Sequence, residues 1–127
     1  MTPTVAAPAT YPPAGLPGLD PAWSRLVSTP QLDGSGRIWH VLDNAVADPE
    51  VTVLCVHGNP TWSYLWRDTL ATAGPRVRVI AVDQLDMGYS ERTGTVRRLA
   101  QRIADLEALT DELDISSPVV TVAHDWG

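Results

Sequence analysis

The chain contains no lysine, a single cysteine and no apolar stretch near the roughly 20 residues that a membrane-spanning helix needs. Nine arginines carry its positive charge, only Arg97 and Arg98 are adjacent, and the formal net charge is -6. Nothing there forms a basic footprint for nucleic acid or an anionic membrane. One cysteine excludes an intrachain disulfide framework, and Cys55, set inside an apolar run, reads as a buried thiol. The histidines and Cys55 do not show the spacing of metal ligands, so neither a metal nor a cofactor is expected. The first basic residue is Arg25, which leaves no signature of a secretory leader. The expectation is a cytoplasmic protein without a membrane span.

What is present is an alternation of strand and helix patterns behind a proline-rich start. Residues 1 to 21 hold six prolines and two glycines with almost no apolar periodicity, and read as an extended leader without a core of its own. Residues 22–29 and 37–42 flank the turn signal Asp33-Gly34-Ser35-Gly36 and predict an antiparallel hairpin. His40 within it reads as an ordinary strand residue, since nothing nearby in sequence would orient it as a base. Residues 51–56 and 77–82 are apolar runs of the length and β-branched content of buried parallel strands. Helices are expected over 62–73, with Leu65, Thr69 and Leu70 on one side, and over about 95–113, capped by Thr93 or Thr95. In the second, Val96, Leu99, Ile103, Leu106 and Leu113 form the core-facing stripe, and Arg97, Arg98, Arg102, Asp105, Asp111 and Glu112 a solvated face. A last strand at 119–123 completes an α/β pattern: an antiparallel edge hairpin, then parallel strands alternating with helices.

Three polar segments follow the predicted parallel strands, at the end where α/β folds collect their sites. In His57-Gly58-Asn59-Pro60, Gly58 permits an unusual backbone angle, His57 reads as a loop-holding residue, and Asn59 stands where a donor facing a pocket is needed. In Asp83-Gln84-Leu85-Asp86-Met87-Gly88-Tyr89-Ser90, the two aspartates are acids or loop-capping carboxylates, the second reading being favoured. The third segment, Ala123-His124-Asp125-Trp126-Gly127, has the order small, any, nucleophile, any, small. That order describes the strand-to-helix elbow that lifts one side chain into an exposed turn. An aspartate at the apex can attack carbon and hold it as an ester; the competing reading is an acid stabilising a helix N-terminus.

Together the segments His57 to Arg67, Asp83 to Ser90 and His124 to Gly127 resemble the haloalkane dehalogenase group of the α/β-hydrolase superfamily, over roughly residues 25 to 127. The resemblance implies an α/β-hydrolase fold with Asp125 as nucleophile. It implies that the backbone N–H groups of Asn59 and Trp126 form an oxyanion hole and that their side-chain donors cradle the leaving anion, neither adding a charge that would pair with Asp125. Asn59 separates the chain from the similar epoxide hydrolases, which usually carry an aromatic residue there.

Within the group the chain also resembles the β-lactone decarboxylases of bacterial long-chain olefin biosynthesis, in the three motifs and in residues 23–27 and 39–43. Asp86 stands where dehalogenases more often have Gly. The resemblance therefore implies a small hydrophobic substrate and either β-lactone decarboxylation to a cis-alkene, the favoured reading, or hydrolytic carbon–halogen cleavage. The family's catalytic His and its supporting acid lie beyond Gly127. The chain is accordingly expected to be the N-terminal portion of the core domain, residues 22–127, stopping at the nucleophile elbow and inactive by itself. Its expected partners are the remaining C-terminal half or a fused acyl-AMP-ligase-like domain. The reading of another class is a catalytically incomplete, non-enzymatic truncated product.

Overall fold

The computed structural model describes residues 5–127. Five strands form one mixed sheet: β1 (Ser24–Thr29), β2 (Arg37–Asp43), β3 (Val51–Val56), β4 (Val77–Val82) and β5 (Val119–Ala123), in the spatial order β1-β2-β4-β3-β5. The hairpin β1–β2 is antiparallel, with Ser24 opposite Leu42 and Thr29 opposite Arg37, and β2 runs antiparallel to β4. β3 pairs in parallel with β4 on one side and β5 on the other. Parallel neighbours need crossover connections, and two helices supply them. These are α1 (Arg67–Thr72) between β3 and β4, and α2 (Leu99–Glu112) between β4 and β5.

The period-two alternation along the strands sorts their side chains onto two faces. Leu54, Val56, Ile80 and Val82 point to the same side as Val27, Trp39 and Val41, where Leu109 and Leu113 from the end of α2 close the core. Cys55, Val79 and Ala81 point to the other side, with Leu42, and Leu70 of α1 covers them. Cys55 is fully buried, and burial pushes its thiol up to about 11. The sheet thus sits between two helical layers, which aligns the C-terminal ends of β3, β4 and β5 along one rim.

Several expected elements differ in detail. Residues 62–73 are not one helix: a 3-10 turn, Ser63–Trp66, precedes the short α1, and Leu65 is exposed. α2 begins at Leu99, and Thr93 and Thr95 do not cap it; the cap position is Arg98, without a side-chain bond. Thr93 instead donates to Asp86, which ties the loop before the helix to the 83–90 segment. The stripe assigned to α2 is displaced as well. Leu99 and Ile103 are 55% and 61% exposed, whereas Arg97 and Asp105, expected on the solvated face, are buried against each other. A guanidinium holding two carboxylates, here Asp105 and Asp33 of the hairpin turn, satisfies a buried charge that apolar patterning cannot reveal.

Residues 5–20 lie along the surface. Ala7 exchanges backbone hydrogen bonds of 3.0 and 2.8 Å with Arg92, and Thr10 N–H donates to Tyr89 O. Asp20 then accepts from Ala22 N–H at 2.9 Å, capping the 3-10 turn Pro21–Trp23 that leads into β1. Asp43, buried beneath the hairpin, accepts from Arg25 of β1 and Arg78 of β4, so three strands share one carboxylate.

Candidate active site

At the rim, β5 ends in a tight turn. His124 N–H still donates to Val56 O of β3, Gly127 N–H closes back onto His124 O at 3.0 Å, and Asp125 between them adopts φ 59°. A non-glycine residue in the left-handed region is strained and persists where its surroundings over-determine it. Here they do. A β-carbon at Gly127 would meet Val56 O at 2.1 Å, so only glycine lets the chain fold back this closely on β3.

The turn presents the Asp125 carboxylate to the loop after β3, and Asn59 N–H donates to its Oδ1 at 3.1 Å. The backbone N–H groups of Asn59 and then Trp126 hold this carboxyl below its ordinary value of 3.8, although the side chain is open to solvent. It is therefore an anion throughout the neutral range. Gly58 is required for a reason other than the one expected. Its backbone angle is not left-handed; a β-carbon there would sit 2.3 Å from the Asp125 Cβ and 2.6 Å from Oδ1.

The Asn59 loop is held from beneath. His57 is fully buried and takes a hydrogen bond on Nε2 from Gln84 N–H at 2.9 Å, so its proton lies on Nδ1, which donates to Gly58 O at 2.7 Å. Burial pushes the His57 imidazole below its ordinary value of 6.5, as befits a ring whose second nitrogen already faces a donor. Gln84 also donates through its side chain to His57 O at 2.7 Å. Asp83 performs a parallel task, with Oδ1 accepting from Ser63 N–H and Oδ2 from Tyr89 N–H, each at 2.8 Å. Asp86 sits at φ 69° and accepts from Thr93 N–H at 2.6 Å. The Asn59–Pro60 peptide is cis.

Asn59 and Trp126 line one cavity of about 470 Å³ with Gln84, Met87, Leu99 and Arg102. Trp126 is 65% exposed. The three residues singled out in sequence thus meet at one place: Asp125 on Asn59 through a hydrogen bond, and Trp126 beside them on the cavity wall. His40 is a strand residue, as expected, but its polar partners were not foreseen. It is fully buried, with Nδ1 2.8 Å from Asp83 Oδ2 and Nε2 3.0 Å from Ser24 Oγ. Those partners are 43 and 16 residues away, beyond any local signal.

Residues 51–127 match the sequence profile of the alpha/beta hydrolase fold. The chain belongs to that family. An α/β-hydrolase core explains why the Asn59 loop and the Asp125 turn follow two adjacent parallel strands. The chain is 36% identical over 94 residues to a cis-3-alkyl-4-alkyloxetan-2-one decarboxylase of Xanthomonas campestris pv. campestris, covering 68% of this chain and 31% of that one. It is 40% identical over 100 residues to a haloalkane dehalogenase of Sphingobium indicum, covering 76% and 33%. Among solved structures it is similar to the tetrameric haloalkane dehalogenase DpaA of Paraglaciecola agarilytica NO2. There the TM-score is 0.77 at 27% identity, over 97% of this chain and 42% of that one. The chain spans about a third of the length of the curated relatives it matches. Among the described residues no helix is long and apolar enough to cross a membrane, and no cluster of three His, Cys, Asp or Glu could hold a metal ion.

Proposed function

We propose that Asp125 is the nucleophile of an enzyme that attacks an sp3 carbon, and that the preferred substrate is a dialkyl β-lactone, decarboxylated to a cis-alkene in long-chain olefin formation. The observation carrying this reading is the strained Asp125 turn, with Oδ1 held by Asn59 N–H 3.1 Å away. One carboxylate oxygen is anchored, so the other is left to attack. It displaces the ring oxygen from the β-carbon, and the lactone opens as a carboxylate while the alkyl ester of Asp125 forms. Loss of carbon dioxide then supplies the electron pair of the new C=C bond as the ester C–O bond breaks and the Asp125 carboxylate returns. The Asn59 and Trp126 amides favour that returning charge, and they need no reorganisation to do so.

Hydrolytic dehalogenation is the second reading, supported by the 40% identity to the Sphingobium enzyme. There the attack expels halide, which the Asn59 amide and the Trp126 indole N–H receive. Water must then add to the ester carbonyl, placing the oxyanion on Oδ1, opposite the same two backbone donors. This route needs a general base in addition to the residues described. The decarboxylative route does not, because the carboxylate is regenerated by elimination. The Xanthomonas relative and Asp86, at a left-handed position where glycine is the easier residue, favour the lactone.

The deciding experiment offers the protein, together with whatever remainder of the core it functions with, a long-chain cis-β-lactone and a 1-haloalkane side by side. Alkene and carbon dioxide from the lactone, with little halide from the haloalkane, is the expected result. Turnover of either substrate by Asp125→Asn at the wild-type rate would sink the nucleophile assignment.

A further inference from the structure

A second constellation lies away from Asp125, beneath the proline-rich segment. Asp83 Oδ2, which already accepts Tyr89 N–H, accepts a second hydrogen bond from His40 Nδ1 at 2.8 Å. With its proton on Nδ1, the ring presents the Nε2 lone pair to Ser24, whose hydroxyl donates across 3.0 Å. Hydroxyl, imidazole and carboxylate are therefore linked in the order nucleophile, base and orienting acid, which is identified by geometry rather than by sequence order. Ser24 opens the edge strand β1, is only partly buried, and lines a cavity of about 230 Å³ with Tyr11, Pro13, Leu16, Leu19 and Pro21. The cavity is walled mainly by apolar side chains and sized for a short acyl group.

We infer that Ser24 is an acyl-accepting nucleophile for small, apolar, activated carboxylic esters that enter this cavity. Ser24 Oγ bonds to the acyl carbon as the ester C–O bond breaks. His40 Nε2 takes the hydroxyl proton and keeps it as an imidazolium paired with Asp83, and the activated leaving group departs as a stabilised oxyanion such as nitrophenolate. The burial of His40 then sets the outcome. The imidazole has no solvent exposure and reaches the cavity only through Ser24, so it has no water to activate once Oγ is acylated. The site is a stoichiometric acyl trap rather than a turnover esterase, and it is independent of the chemistry at Asp125.

The test is p-nitrophenyl acetate, followed by nitrophenol release and peptide mass mapping over time. Expected is a burst of one equivalent, with one acetyl group on Ser24 introduced at least about 100-fold faster than on the exposed Ser35 of the hairpin turn. Ser24→Ala should abolish the burst with an unchanged far-UV spectrum, and Asp125→Asn should retain it. Because replacing the buried His40 endangers the fold, the comparison of Ser24 with Ser35 inside one molecule decides the matter. Equal labelling of the two serines, a burst that survives Ser24→Ala, or one that disappears in Asp125→Asn would each overturn the inference.

Discussion

β4 and β5 are both valine-rich strands flanking β3, yet they meet opposite fates. Val79, Ile80, Ala81 and Val82 of β4 are completely buried, while Val119, Val120 and Val122 of β5 are between 37% and 51% exposed. The difference is one of neighbours. β4 is hydrogen-bonded on both edges and covered on both faces, whereas β5 pairs with β3 alone. Strand formation follows from local sequence, but the stabilisation drawn from it follows from burial. Asp125, the carboxylate proposed as nucleophile, follows the more exposed of these two strands.

Substitutions sharpen that contrast, beginning with the largest effect. Asp125→Asn, at the tip of β5, should lower turnover at least about ten-thousand-fold while leaving the urea midpoint unchanged. Ile80→Ala in β4 should do the reverse, costing about 2–5 kcal/mol in urea unfolding through the cavity it leaves. Gly58→Ala, which brings a methyl group against the carboxylate across the β3–β5 boundary, should lower turnover about 100-fold by shifting Oδ1 off Asn59 N–H. A crystal structure of that variant with the carboxylate unmoved would contradict the account.

Acidification probes the same boundary from below. Because burial depresses the His57 value in the folded state, the unfolded chain binds the extra proton first. The stability contributed by a neutral His57 is present above about pH 6.5 and is lost as pH falls below it, so the urea midpoint should decline between about pH 7 and pH 5. A midpoint that stays flat there would refute the buried, neutral ring. Asp43 acts lower on the scale: burial pushes its carboxyl up, but Arg78, Ala45 N–H and Arg25 outweigh this and hold it below the ordinary carboxylate range. Val120→Ala on β5 should have the smallest effect, within about 0.5 kcal/mol, since the side chain is already half in water.

Much of this was legible in the residues. The five strands, their antiparallel-then-parallel order and the three loops at one rim follow from apolar runs of strand length punctuated by Gly, Pro and Asp. The meeting of Asp125 with Asn59 was legible only through family resemblance, because 66 residues separate them and no local rule joins such positions. Pairings that trade one polar group for another stayed hidden. Arg97 and Asp105 read as solvated because charge is normally exposed, and the structure buries them together. His40 read as an ordinary strand residue because nothing near it in sequence would orient it; its partners come from β1 and from the loop after β4. Gly58 was rightly marked as special, but the constraint on it is crowding by another loop, not its own backbone angle.

The two hydrogen bonds that Gln84 donates to His57 carry a mechanical consequence. They rivet the tip of β3 to the tip of β4, so the Asn59 turn cannot swing without dragging the 83–90 segment along. The two loops are thereby clamped together. Any breathing motion that admits a ligand to Asp125 must pivot elsewhere along the rim.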